Sequence, residues 1–222
     1  MSKSFDSLEY LLSDSSPPVV LLLSGMHGDE YEAGNLLEAY VREHQDELLP
    51  FLYIPKVSPT AVAQATRKNR FGNDINRQFL EATRDPEAER MMRLLKRYVF
   101  RIAIDLHEDP DRTQAFYLYD SGLMSPDQLG IYRGIVNQTG ARLYTGIDDI
   151  EDEHLKRHID RGYISLPPNE FPASSGFSSV WMLQQGVVRR AFTLEIPGKA
   201  PPELKRSLLG YLIPFLVRTF GV

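Results

Sequence analysis

The chain has 222 residues and a formal net charge of -5, and its charges are interspersed, so it lacks the basic stripe of a nucleic-acid-binding protein. With 42% hydrophobic and 25% charged residues the composition predicts one globular core, and the absence of cysteine excludes disulfides and thiolate zinc ligands. No signal segment opens the sequence and no apolar run could span a bilayer, so we expect a cytoplasmic protein without membrane contacts.

The first elements lead to a polar turn. Residues 4–12 carry apolar side chains at helical spacing, which predicts a short docking helix. The apolar run 19–23 is short and bounded by turn residues, which predicts a buried strand. A glycine-flanked turn follows, and a helical pattern begins at Asp29. His27 and Glu30 therefore lie at a strand-to-helix corner, where open α/β sheets place their ligands.

His27 and Glu30 are candidate ligands for one cation, because an imidazole and a carboxylate on one tight turn can point at the same ion. On its own, such a pair is more often a polar turn at the start of a helix. A catalytic zinc site also needs a third protein ligand and an open position.

A polar segment spans residues 66–79, after a second predicted strand. Arg67, Arg70, Arg77 and Asp74 lie within it and show no amphipathic period. A solvated loop is one interpretation. An anion-binding wall is the other, because the planar guanidinium binds carboxylates bidentately and an aspartate can hold the second nitrogen of a histidine.

A second histidine stands at the end of the next predicted strand, residues 101–107. Asp105 and His107 share one side of that strand because side chains alternate. A short ligand pair with one distant ligand from another strand suits a catalytic metal. The alternative is a strand-end histidine bonded to a carboxylate.

The rest of the chain predicts further α/β elements: a strand at 115–119, helices at 85–98, 126–137 and 180–185, a strand at 187–196, and a C-terminal helix that reaches Phe220. The acidic run 148–153, with His154 and His158 after it, predicts solvated surface. The proline-rich residues 166–176 predict a mobile lid. Glu195 lies among apolar residues, where a carboxylate must face a partner or a cleft.

The order His27-x-x-Glu30, Arg67, Asn76-Arg77, His107, Glu195 resembles the zinc carboxypeptidases of the carboxypeptidase A type. Their deacylase relatives, the succinylglutamate desuccinylase and aspartoacylase group, share this order. The resemblance runs from about residue 19 to residue 198. It implies an α/β fold in a single domain over residues 1–222, with a mixed, largely parallel sheet covered by helices on both faces; the apolar strands are typical of such a sheet.

The resemblance also implies roles for the polar residues. His27, Glu30 and His107 would bind one zinc ion, and Asp74 would orient the first histidine from outside the ligand set. Arg67 would polarise the scissile carbonyl, and Glu195 would act as general base and then general acid.

Substrate binding is implied for a second group of residues. Asn76 and Arg77, with Arg70 nearby, would bind the carboxylate of the substrate. Many peptidases of the family carry a substrate-capping tyrosine near the position of Phe171, and none stands there in this sequence. Tyr163 lies earlier in the same region, and closure of the predicted lid could bring it into reach.

These features predict a zinc-dependent hydrolase of an amide bond next to a free carboxylate. A metallocarboxypeptidase acting on a small or cell-wall-type peptide is the leading interpretation. An N-acyl amino acid deacylase is the alternative enzyme, and a non-catalytic metal-binding module is the alternative from another class. The intact set of His27, Glu30, His107 and Glu195 argues against the last, because loss of activity usually removes a ligand or the base.

Overall fold

The computed structural model describes residues 2–14, 17–110, 115–170 and 172–222. The strands are β1 (Ser2–Phe5), β2 (Leu8–Leu12), β3 (Val20–Leu23), β4 (Phe51–Ile54), β5 (Phe100–Asp109), β6 (Ala115–Asp120), β7 (Arg142–Leu143), β8 (Gly146–Ile147), β9 (His158–Ile159), β10 (Tyr163–Ser165) and β11 (Val188–Pro197). The helices are α1 (Tyr31–Glu43), α2 (Pro59–Gln64), α3 (Pro86–Leu95), α4 (Pro126–Gln138), α5 (Ser178–Gln184) and α6 (Pro202–Phe220).

The strands form a mixed sheet in the order β1-β2-β4-β3-β5-β11-β6-β10, and β7 pairs with β6. The central strands β4, β3, β5 and β11 run parallel to one another. Strand β6 is antiparallel to β11, and the hairpin β1–β2 forms one edge of the sheet. Strands β8 and β9 pair in a separate small sheet. The predicted α/β fold with a largely parallel sheet is confirmed.

Helices cover both faces of the sheet. Leu22 packs in a cluster with residues of α1, α4 and α6, whereas its neighbour Leu21 packs with residues of α3 and α5. Successive strand side chains point to opposite faces, so a run of apolar residues supplies both cores. Within the described residues, no helix combines the length and apolar character needed to cross a membrane.

The N-terminal segment differs from the prediction. Residues 4–12 form a β-hairpin rather than a docking helix, and the turn residues Asp6 and Ser7 have φ values of 47° and 69°. Leu8 and Tyr10 are buried against the core on the α3 and α5 side of the sheet. Apolar spacing in so short a window does not separate helix from strand, and here pairing of β2 with β4 decides the outcome.

A buried lysine ties α6 to the end of β5 and the start of α1. Lys205 Nζ donates to Glu32 Oε2 at 2.5 Å, to Glu108 Oε2 at 2.6 Å and to the Gly198 carbonyl at 2.8 Å. The other oxygen of Glu108 accepts a hydrogen bond from the Ala33 amide at 2.7 Å. All three ammonium donors are thus used inside the protein, as a buried charge requires.

We expect Lys205→Met to lower the free energy of unfolding by about 3–5 kcal/mol, because it leaves the buried Glu108 carboxylate without its cation. Denaturant-induced unfolding measures this change. The exposed Lys56→Met is the control and should change stability by less than about 0.5 kcal/mol. Adding Glu108→Gln to Lys205→Met should recover part of the loss. A single Lys205→Met variant as stable as the control would contradict this account.

Candidate active site

The carboxyl ends of three neighbouring parallel strands meet at the candidate site. Strand β3 leads into His27, β5 carries His107 near its end, and β11 carries Glu195 in register with His107. Ligand crevices of open α/β sheets lie at this edge. The sheet order therefore brings together residues that are far apart in sequence.

The corner after β3 depends on glycine. A Cβ atom on Gly28 would lie 1.9 Å from the carbonyl oxygen of Ala61, so no other residue fits without movement of the backbone. The Gly28 amide also donates to the Thr66 carbonyl at 2.9 Å. This close approach places His27 beside the segment that carries Arg67.

Two histidines and one glutamate converge at this corner. His27 Nδ1 lies 2.6 Å from Glu30 Oε1, and His107 Nδ1 lies 3.0 Å from Glu30 Oε2. One ligand atom from each of the three residues lies within 4.8 Å of the others. All three side chains are buried. The structure thus brings together the three residues that the sequence predicts as metal ligands.

Carboxylates face the second nitrogens of both histidines. His27 Nε2 lies 3.1 Å from Oδ1 of Asp74, the residue that the resemblance implies as orienting the first histidine. His107 Nε2 lies 3.5 Å from Asp105 Oδ2 and makes no hydrogen bond within the described residues. Ser178 Oγ contacts the same Asp105 oxygen at 3.2 Å. Metal-binding histidines are typically oriented by such carboxylates.

The charges in the cluster stabilise one another. Burial would raise the pKa of Glu30, but His107 and His27 together hold that pKa well below its usual range. Burial would lower the pKa of both histidines, yet Asp74 and Glu30 raise the pKa of His27, and Glu30 and Asp105 raise that of His107. Two imidazole nitrogens and a carboxylate around one point form a donor set that fits a divalent metal ion such as zinc.

The cluster opens into a cleft of about 830 Å³. Ala191, Thr193 and Glu195 alternate along β11 and all line this cleft, as the two-residue period of a strand requires. Glu195 is partly buried, and burial raises its pKa well above the usual value; Glu30, Asp148 and Asp109 add to that shift and His107 opposes it. A carboxyl group with a raised pKa is suited to proton transfer near neutral pH.

Arg67 lies beside the histidines at the cleft. Its Nη2 is 2.9 Å from Asp74 Oδ2, and its Nη1 is 3.8 Å from Glu30 Oε1. Its guanidinium also approaches His27 Nδ1 to 3.5 Å. Arg67 therefore reaches the same point as the three candidate ligands while remaining half exposed to the cleft.

Asn76 and Arg77 lie in a 3-10 helix, Ile75–Arg77, on the cleft wall. Asn76 Oδ1 accepts a hydrogen bond from the Ser178 amide at 3.0 Å, and the Arg77 guanidinium covers the ring of Phe177 at 4.1 Å.

Arg70, the third residue predicted to bind substrate, is not brought to the cleft among the described lining residues. Its guanidinium lies over the Phe71 ring at 4.7 Å.

Part of the acidic run also lines the cleft, where the sequence indicated solvated surface. Asp148 accepts hydrogen bonds from the hydroxyls of Tyr117, at 2.5 Å, and of Tyr119. Tyr117 also approaches Asp109 Oδ2 to 2.8 Å. The signal available in the sequence was the alternation of two tyrosines along β6, next to the strand that carries Glu195. The exposed His158 lies in β9, away from this wall.

Tyr163, which closure of the predicted lid could bring into reach of a substrate, does not line the cleft within the described residues. Its side chain is buried, and its hydroxyl donates to Asp120 Oδ2 at 2.7 Å and accepts from the Met124 amide at 2.9 Å. Arg190 holds the same Asp120 carboxylate with two hydrogen bonds. Tyr163 is therefore held in a polar network with Asp120, and of these two residues only Asp120 is among the described residues that line the cleft.

The segment predicted as a lid is partly structured. Phe171 lies outside the described residues, and the flanking residues include two 3-10 helices, Pro168–Glu170 and Ala173–Ser175. The Gly176 carbonyl accepts a hydrogen bond from the Phe79 amide at 3.0 Å, which anchors the end of the segment. Lid motion of residues 166–176 remains a prediction.

Comparison with known proteins identifies a family and several solved structures with the same fold. Residues 16–126 match the family model of the succinylglutamate desuccinylase/aspartoacylase catalytic domain. The chain belongs to this family. A sequence comparison with curated proteins gives no significant match.

Several solved structures share the fold. A presumed metallopeptidase from Shewanella amazonensis SB2B superimposes with a TM-score of 0.75 at 20% identity, over 100% of this chain and 87% of that one. A succinylglutamate desuccinylase/aspartoacylase from Rhodobacter sphaeroides superimposes with a TM-score of 0.60 at 18% identity, over 95% of this chain and 58% of that one. A metallo-carboxypeptidase from Burkholderia cenocepacia superimposes with a TM-score of 0.59 at 14% identity, over 95% of this chain and 61% of that one. At these identities the similarity shows the fold alone.

Proposed function

We propose that residues 1–222 form one catalytic domain that hydrolyses an amide bond next to a free carboxylate, with one zinc ion as cofactor. The observation that carries this proposal is the convergence of His27 Nδ1, Glu30 and His107 Nδ1 at a cleft. The absence of cysteine leaves only nitrogen and oxygen ligands, and zinc accepts both.

The residues around the proposed metal have distinct tasks. When bound, zinc would supply a Lewis acid and hydroxide at neutral pH. Glu195 accepts a proton and returns it to the leaving amine, which its raised pKa supports. Arg67 stabilises negative charge that develops on the carbonyl oxygen, and Asp74 fixes its guanidinium through two contacts. Asp74 also orients His27.

Two substrate classes are candidates. Family membership favours an N-acyl amino acid as the substrate. The resemblance to solved structures named as metallopeptidases keeps a small peptide as the second candidate. Both classes place a free carboxylate close to the scissile amide, where Arg77 would bind it. Hydrolysis of N-acetyl amino acids and of dipeptides by the zinc-loaded protein tests the proposal, and no turnover of either class would favour a non-catalytic module.

We expect Arg77→Ala to raise KM by about tenfold to a hundredfold for substrates with a free carboxylate, because a hydrogen bond to a charged group is lost. KM for the amidated analogue should change much less. Arg70→Ala is the matched control, since Arg70 lies over Phe71 outside the described cleft lining. If Arg77→Ala raised KM equally for the free-carboxylate substrate and for its amidated analogue, Arg77 would not be the group that binds the substrate carboxylate.

A further inference from the structure

An acidic segment lines part of the cleft. We name residues 148–157 the acidic strap; five of its first six residues are acidic, and it contains neither helix nor strand. Strands β8 and β9 pair at its base. The carboxylate of Asp148 accepts hydrogen bonds from tyrosines of β6 on one wall, and that of Asp152 accepts one from Arg77 on the other. The strap therefore bridges the two walls.

Asp152 is bound to the guanidinium of Arg77, the group proposed to bind a substrate carboxylate. Arg77 Nη2 donates to Asp152 Oδ2 at 2.6 Å, while Nη1 donates to the Asn76 carbonyl at 3.1 Å. One face of the guanidinium is covered by Phe177. Burial would raise the pKa of Asp152, but the hydrogen bond from Arg77 lowers it, so Asp152 is ionised at neutral pH. The group bound to Arg77 thus has the same chemistry as a substrate carboxylate.

We propose that Asp152 is a specificity-determining residue, which occupies Arg77 until a substrate carboxylate displaces it and the acidic strap moves away. This inference rests on the proposed function, because it takes Arg77 as the carboxylate anchor. A neutral group cannot match the charge-assisted bond of Asp152. The strap thereby rejects ligands without a free carboxylate. Specificity then comes from competition with Asp152 for Arg77 as well as from the attraction of Arg77 for the substrate carboxylate.

The contact between Arg77 and Asp152 is accessible to solvent. The side chains of Arg77 and Asp152 are 26% and 20% exposed, so solvent and salt screen the ion pair. The strap keeps other contacts next to Asp152: the His154 ring packs against Phe177 with centroids 5.8 Å apart, and Leu155 packs on an adjacent apolar cluster. Release of Asp152 therefore requires only local movement of the strap.

Asp152→Asn tests whether Asp152 competes with a substrate carboxylate for Arg77. The substitution removes the charge but keeps the shape of the side chain and the oxygen that accepts a hydrogen bond from the His154 amide. We expect KM for a substrate with a free carboxylate to fall about threefold to tenfold, with kcat unchanged. Calorimetric titration with succinate, a simple dicarboxylate probe, should show tighter binding by the same factor. Glu151→Gln is the matched control, since it removes one charge from the strap at an exposed residue of the cleft lining.

Hydrogen exchange gives a second readout on the wild-type protein. Saturating succinate should increase the exchange of amides in residues 148–157 and leave the core strands unchanged. Unchanged or weaker succinate binding by Asp152→Asn would overturn the inference, and so would equal tightening by Glu151→Gln, which indicates a general charge effect.

Arg77→Leu separates this inference from the proposed function. If Arg77→Leu fails to weaken succinate binding in the Asp152→Asn background, Arg77 is not the anchor, and both its proposed role in substrate binding and the role of the strap are overturned. If Arg77→Leu weakens binding but Asp152→Asn does not tighten it, the role of the strap alone is overturned.

Discussion

Glu195→Gln is expected to lower kcat by about 10²–10⁴-fold, the usual contribution of positioned acid–base catalysis. The amide keeps the size of the carboxyl group but cannot accept the proton. Zinc content and substrate affinity should stay close to those of the wild type, because Glu195 lies beside the candidate ligands in the sheet register without being one of them. Steady-state kinetics on zinc-loaded protein measures the change.

The pH profile adds a test specific to Glu195. A general base must be deprotonated, so kcat/KM rises as pH increases through its pKa, and burial raises that pKa above the ordinary carboxyl value. Glu195→Gln should remove this acid limb. A purely structural Glu195 predicts the opposite pattern, a lower Tm with unchanged turnover per folded molecule. Unchanged turnover would therefore contradict the mechanism.

His107→Ala is expected to weaken zinc binding by more than about 100-fold. Loss of the residues that orient metal ligands commonly costs 10–100-fold, and His107 is proposed as a ligand itself. Glu30 would also lose its partner at 3.0 Å. Competition with a chromogenic chelator measures the affinity without reference to turnover.

His158→Ala is the matched control for this change, because it removes an exposed histidine from the small β8–β9 sheet. Its zinc affinity should equal that of the wild type. If His107→Ala bound zinc as tightly as His158→Ala, His107 would not be a ligand.

Much of the fold follows from the sequence because its core strands are short apolar runs bounded by turns. The runs that became β3, β5 and β11 could be read directly, and their parallel order is what α/β packing favours. The hairpin β1–β2 could not be predicted in this way. Its turn, Asp6–Ser7, has positive φ without glycine, and the pairing that fixes it comes from β4, far along the chain.

The proximity of the three candidate ligands was predictable for a different reason. His27 and Glu30 share one turn, which is local information, whereas their meeting with His107 depends on the neighbouring positions of β3 and β5. The resemblance to zinc carboxypeptidases supplied that link. The assignment of Asp74 also came from the resemblance, and the structure places it 3.1 Å from His27 Nε2.

Contacts between segments that are far apart in the chain could not be predicted from the sequence. The pairing of Asp152 with Arg77 joins residues 75 positions apart, and it depends on where β8 and β9 place the loop between them. From the sequence, lid closure could bring Tyr163 into reach of a substrate. In the structure its hydroxyl donates to the buried Asp120, a contact that only the packing of β10 beside β6 reveals.

The most direct test of the central claim is anomalous diffraction at the zinc absorption edge from crystals of the zinc-loaded protein. We expect one peak about 2.0–2.2 Å from His27 Nδ1, His107 Nδ1 and a carboxylate oxygen of Glu30. Full occupancy at that point, lost in His107→Ala crystals, is the expected result. An empty map at this corner in protein that contains zinc, or a peak bound by other residues, would contradict the account.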